Sequence, residues 1–223
     1  MAQHLQREIE QLKKKMLTLG AAVESSVQKA VNSVQYRDTG LADSVIAGDA
    51  LIDQFEVDLE EDCLKILALH QPVAIDLRFI VAVLKINSDL ERIGDLATNM
   101  AERTKFLSSR QQITVPFDLA AVAEKSQGMV KQSLDSLVNL DAAMARQVCA
   151  MDDEVDTLNR EAFDLVKDAI RQRPDQVDIL IAYLSVSRYL ERIADHATNI
   201  AEDVLYMVEG VIARHYQNNR NPG

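Results

Sequence analysis

ERIGDLATNMAE, residues 91–102, and ERIADHATNIAE, residues 191–202, agree at nine of twelve positions and stand 100 residues apart in a chain of 223. At 100° per residue from Glu91, Asp95 falls at about 40°, Asn99 at about 80° and Glu102 at about 20°. One helix edge therefore carries four oxygen-bearing side chains, while Ile93, Leu96, Ala97 and Met100 lie away from it. Glu191, Asp195, Asn199 and Glu202 repeat that edge. An acidic amphipathic helix written twice predicts an internally duplicated, helical protein.

The echo extends upstream. Asp49, Ile52, Asp53, Phe55 and Leu59 align with Asp152, Val155, Asp156, Leu158 and Ala162 at an offset of 103, and Pro72 aligns with Pro174 at 102. In the first segment Leu5, Ile9, Leu12, Met16, Leu19 and Val23 step by fours and threes, which gives an amphipathic helix of about 30 residues, roughly 45 Å long. Further helices are predicted over about 41–69, from Pro72 to about 106, and over 117–140, 142–172 and 175–213, with Asp118 and Asp141 as N-caps. Only 4% of residues are aromatic and there is no Trp, a composition suited to long helices. The expected fold is all-α: two tandem, similar antiparallel three-helix bundles, 1–108 and 117–214, with a linker at 109–116 and a disordered tail at 215–223. Helices this long also leave a coiled coil, and with it a homodimer, open.

Charge and cysteine usage narrow the function. The net charge of −11, from 35 Asp and Glu against 24 Lys and Arg, argues against nucleic acid and against simple docking on anionic lipid. It permits cations or a partner with a basic face. Cys63 and Cys149 belong to no CxxC and read as small buried residues in a reducing compartment. The start, MAQHLQREIEQLKKK, has no signal-peptide core, and no run approaches the roughly 18 apolar residues of a membrane span. A cytoplasmic protein is expected.

Asp49, Asp53, Glu56 and Glu60 also share one helix edge; their counterparts are Asp152, Asp156, Asn159 and Phe163. Folding the second and third helices back around Pro72 brings Asp49 level with Asp95 and Asp53 level with Glu91. Around Pro174 the same construction brings Asp152 and Asp156 within one residue of Asp195 and Glu191. Each bundle could thus gather four carboxylates at one height, although spacing alone does not show that the two edges face each other. Such crowding raises carboxylate pKa values or demands a cation, and hard oxygen ligands suit magnesium, calcium, manganese or iron better than copper or zinc. The bland alternative is a solvated acidic face paired with Arg92, Arg188 and Arg192. Gly94 is expected to allow close helix approach, and His196 to sit away from the acidic edge. There is no Glu-x-x-His pair, phosphate loop or GxSxG, so no catalytic constellation emerges.

The doubled ERI[GA]D signature, MLTLGAAVESSVQKAV in the first helix and VIAGDALIDQFEVDLEEDCLKILALHQP before the first turn together resemble the PhoU family of bacterial regulators of phosphate uptake, over about 5–213. The resemblance implies two similar three-helix bundles and a non-enzymatic cytoplasmic accessory protein. It implies as partners the ATPase subunit of a phosphate ABC transporter and a phosphate-sensing histidine kinase, with membrane association only through them. Phosphate-starvation signalling would be held down when phosphate is plentiful. Metal binding in that family uses acidic E/D-x-x-x-D motifs, which carry over to Asp49 and Asp53, Glu91 and Asp95, Asp152 and Asp156, and Glu191 and Asp195; Asn99 and Asn199 continue the signature edges. Iron, zinc, magnesium, manganese or calcium are the candidate ions. Ala194 departs from the signature glycine, and Asn159 and Phe163 depart from the acidic edge, so equal metal content in the two bundles is not implied. A metal-binding helical-bundle enzyme or metal store is the competing reading.

Overall fold

The computed structural model describes residues 2–210, with side chains from 4 onward; the predicted tail at 215–223 lies outside the described residues. Six long helices account for the fold: α1 Ala2–Tyr36, α2 Thr39–His70, α3 Ala74–Ser108, α4 Leu119–Asn139, α5 Ala142–Gln172 and α6 Val177–Glu209. There is no strand among the described residues.

Local chemistry sets the boundaries. Asp38, Asp118 and Asp141 each cap a helix, their carboxylates accepting from backbone N–H groups one to three residues into it at 2.8–3.0 Å. These bonds satisfy donors that a helix start leaves orphaned. The Asp118 cap leaves Phe117 outside α4, two residues later than the apolar pattern suggests. Pro174 opens a 3-10 turn, Pro174–Gln176, so α6 begins at Val177 rather than 175. Its last residue is Glu209, followed by Gly210 in the left-handed conformation (φ 73°).

The duplication reaches further than the sequence comparison suggests. The turns α1–α2 and α4–α5 are the same turn: Arg37 and Leu140 are both left-handed (φ 52° and 49°), Asp38 and Asp141 both cap the next helix, and Asp38 N and Asp141 N donate to Ser33 O and Ser136 O at 2.9 Å. All three pairs share the offset of 103.

Helices α1–α3 form one bundle and α4–α6 the other, joined by the segment 109–118. The bundles pack through α3 against α6 and, more lightly, α1 against α4. Leu19, Val23, Ile86, Leu90, Ile93, Met100, Met129, Leu190, Ile193 and Ile200 are buried in one continuous apolar core drawn from both. Gly94 sits where α3 meets α2: a Cβ there would lie 3.2 Å from both Cδ1 and Cγ2 of Ile52. The other copy has Ala194 and, in place of Ile52, the shorter Val155. Cys63 and Cys149 are free thiols, pushed up to about 12 and about 11 by burial first and nearby carboxylates second, and are therefore inert at neutral pH.

Candidate functional site: two acidic edges between paired helices

The acidic edges of α2 and α3 face each other, and so do those of α5 and α6. In the first bundle Thr98 donates to Asp49 at 3.0 Å, tying the edges together. Thr198 donates to Asp152 at 3.2 Å at the equivalent place in the second. Both threonines lie outside the sequence-based set, which took carboxylates and amides as ligands. Their signal was present in the shared ATN of the two signatures.

Electrostatics report the same convergence. Desolvation raises the Asp49 carboxyl above the usual carboxylate range, with Asp53 and Asp95 adding to it and the Thr98 bond opposing. Glu91 is raised by desolvation, then Asp95, with Glu56 and Asp53 across the groove. Glu56 is raised by desolvation, then Glu60 and Asp53. In the second bundle Asp152 is raised by desolvation, then Asp195 and Asp156; Glu191 by desolvation, then the same two aspartates. Asp195, although solvent reaches it, is raised by desolvation and by Asp156. Carboxyls raised this way are partly withdrawn from water and, second to that, crowded by like charge.

The arginines differ between the copies. Arg92 pairs with Glu91 at 3.5 Å and Asp95 at 3.6 Å, so part of the first edge does carry surface ion pairs. Arg188 and Arg192 pull Glu191 down only at a distance, and among the described residues neither forms an ion pair. The second edge is the less compensated of the two.

Two anticipated members behave differently from the rest. Asn199 donates to Asp89 of α3 at 3.1 Å, and His196 meets the same oxygen at 2.8 Å; both serve the seam between bundles. Asn99 is half-buried on α3. At the positions where the second copy loses its acids, Asn159 accepts from Ser187 at 2.9 Å. The equivalent level in the first copy is held by Asn87, donating to the Glu56 carbonyl at 2.9 Å. Phe163 is exposed.

The donor chemistry, carboxylates without thiolates, matches a hard cation. Among the described residues no group of three or more His, Cys, Asp or Glu side chains stands close enough together to hold a metal ion. The donor set therefore suits the ion, and the spacing does not by itself close a coordination shell.

The fold and site together make this an all-α protein built from a duplicated three-helix unit with an acidic groove in each copy. The PhoU domain matches residues 16–104 and again 119–204, and the chain belongs to the PhoU family. The phosphate-specific transport system accessory protein PhoU homolog of Clostridium acetobutylicum is 31% identical over 204 residues, 91% of this chain and 93% of that one. Its namesake in Aquifex aeolicus is 36% identical over 209 residues, covering 94% and 95%. The crystal structure of PhoU from Pseudomonas aeruginosa superposes with a TM-score of 0.91 at 35% identity, covering 92% of this chain and 99% of that one.

Proposed function

We propose that this protein is a non-enzymatic accessory of phosphate transport, a regulator that restrains the phosphate ABC transporter and its sensor histidine kinase when phosphate is plentiful. Family membership and the names of its relatives support the role in phosphate-transport regulation. The absence of a nucleophile–base pair from the sequence motifs is in keeping with an adaptor.

One observation carries the proposal about mechanism: in both bundles two acidic edges meet across a threonine–aspartate hydrogen bond, and their carboxyls are raised by desolvation first and by neighbouring carboxylates second. In this reading metal ions, with iron, manganese, magnesium, calcium and zinc as candidates, are held by Asp49, Asp53, Glu91 and Asp95 in one bundle and by Asp152, Asp156, Glu191 and Asp195 in the other. The bound charge would stiffen the groove or bridge to a partner's carboxylates. The transporter's ATPase subunit and the kinase are the proposed partners, and docking on them is the proposed route to the inner face of the membrane. No helix among the described residues is long and apolar enough to cross a membrane, which is consistent with that route.

The test pairs chemistry with signalling. Untagged protein purified without chelator is compared with the Asp95→Asn, Asp195→Asn double variant by elemental analysis, and both are assayed for phosphate-dependent repression in cells. Bound metal lost from the variant together with loss of repression is the expected result. Full repression by a folded, metal-free variant would refute the role of the acidic edges.

A further inference from the structure

The two bundles also meet under their connecting segment. A cavity of about 240 Å³ is lined there by the end of α1, Met100 in the last third of α3, the start of α4, the first half of α6 and Gln112, Ile113 and Val115 of the linker. Its walls are mainly apolar: Val34, Met100, Ile113, Ala123, Val186 and Leu190 are among them. Four polar side chains interrupt that surface, Gln35, Arg37, Gln112 and Tyr183, and Arg37 is the charged one among them.

Tyr183 has only 5% of its surface exposed, and its hydroxyl makes no hydrogen bond among the described residues. The hydroxyl is not among the sealed, unpartnered polar atoms of the described residues; it opens onto the cavity, where an acceptor can reach it. Burial pushes the Tyr183 hydroxyl up and the Arg37 charge pulls it back, which sets guanidinium and phenol oxygen within electrostatic reach of each other at the cavity wall. Arg37 is half-buried and held by one bond, Nη2 donating to the Arg110 carbonyl at 2.6 Å. It has no carboxylate partner among the described residues. A guanidinium carries five donors, so most of them remain for something else. Neither residue belongs to the repeat: the equivalent positions are Val83 and Leu140. The cavity chemistry therefore arose in one place only.

We propose that this inter-bundle cavity binds a small amphipathic carboxylate, its apolar body of about eight to ten carbons against the aliphatic walls and its carboxylate between Arg37 and Tyr183. The size follows from a cavity of about 150 Å³ accepting benzene. Inorganic phosphate does not suit it, since a fully hydrated anion gains nothing from apolar walls. Because the ligand would touch α1, α3, α4, α6 and the linker at once, its binding would favour one arrangement of the two bundles.

The test is calorimetric titration of the full chain with octanoate, with octylamine, octanol and inorganic phosphate as comparison probes. Saturable one-to-one octanoate binding is expected, with octanol and phosphate weaker by about tenfold or more. Arg37→Gln is expected to weaken octanoate about tenfold and Tyr183→Phe severalfold. Ala120→Leu, at the exposed mouth, is expected to block binding. Circular dichroism melts matching the wild type within a few degrees establish that each variant is folded. Absence of saturable binding, octanol or octylamine binding as tightly as octanoate, phosphate displacing octanoate, or affinities unchanged in folded Tyr183→Phe and Ala120→Leu would each overturn the proposal.

Discussion

Replacing Asp195 by Asn should stabilise the metal-free protein, although it removes a charge from a charged surface. Asp195 stands among Asp156, Asp152 and Glu191, each of which takes part in mutual destabilisation with it. A like-charge pair at a solvated helix edge costs a few tenths of a kcal/mol, so three neighbours amount to about 1 kcal/mol. Solvent screening and the lost attraction to Arg192 and His196 reduce the gain to about 0.5 kcal/mol. For a chain of this length that is a rise of about 1–2 °C in Tm at neutral pH. Asp95→Asn should gain less, because Asp95 already has Arg92 at 3.6 Å and the substitution discards that partner.

The dependence on pH separates this account from simple surface tolerance. The raised carboxyls bind protons more tightly in the folded state than in the unfolded one, so the stability they contribute is fully present below about pH 4. It is lost as the pH rises through their folded-state pKa values. Wild-type protein in chelator should thus lose stability over the range just above pH 4, and Asp195→Asn should lose less. Thermal melts followed by circular dichroism at 222 nm, from pH 4 to 8 in chelator, make the measurement. With manganese added the order should invert, the wild type gaining more than the variant because a ligand stabilises the state that binds it. An Asp195→Asn protein destabilised in chelator at pH 7.5, or one with the wild-type pH profile, would refute the reasoning.

Other expectations follow from packing and capping. Gly94→Ala adds a methyl 3.2 Å from two Ile52 carbons, so its helix-propensity gain of about 1 kcal/mol should be cancelled by crowding. In the Ile52→Val background the same change should become favourable, with a coupling of about 1 kcal/mol in a double-mutant cycle of urea midpoints. Asp141→Ala removes bonds of 2.9 and 3.0 Å to Ala143 N and Met144 N and should cost about 1 kcal/mol by the same assay. Thr98→Val and Thr198→Val should each weaken the joining of the facing edges and lower apparent manganese affinity severalfold, read by titration calorimetry.

Helix number, two of the three capping aspartates (Asp118 and Asp141, with Asp38 missed) and the duplication were legible because each rests on local rules: apolar spacing of three and four, a short oxygen at a helix start, a repeat at fixed offset. The acidic edges were legible for the same reason, since residues four apart on a helix share a face. Their mutual orientation was not. It depends on how each helix rolls about its axis, and that is set by buried core residues such as Ile52, Leu90 and Ile93. Thr98 and Thr198 were missed because the edge was read for carboxylates and amides alone, although Thr98 falls at about −20° on it, and Asn199 was grouped with the edge because about 80° of rotation lies close enough to either side. Side-chain direction decided it, and the partner that draws it away, Asp89, belongs to the other bundle.

Asp89 illustrates a division that runs through the molecule. Most groove residues occur in both copies: Asp49 and Asp152, Asp95 and Asp195, Thr98 and Thr198, with Glu56 and Glu60 as the departures. Several polar residues at the seam between bundles do not recur, although Asn199 keeps its counterpart Asn99. Asp89 corresponds to Tyr189, His196 to Leu96 and Lys85 to Ser185, while Lys85 reaches the buried Asp203 of α6 at 3.1 Å and lies over the Tyr206 ring at 5.3 Å. Each groove is built from two helices of one copy, so its aspartates and threonine came with the duplication. The contact of Asp89 with His196 joins non-equivalent positions of the two copies, and the mirror-related pair, Tyr189 and Leu96, carries neither group. Arg37 and Tyr183, opposite Leu140 and Val83 in the other copy, are likewise present once, whereas the acidic groove is present twice.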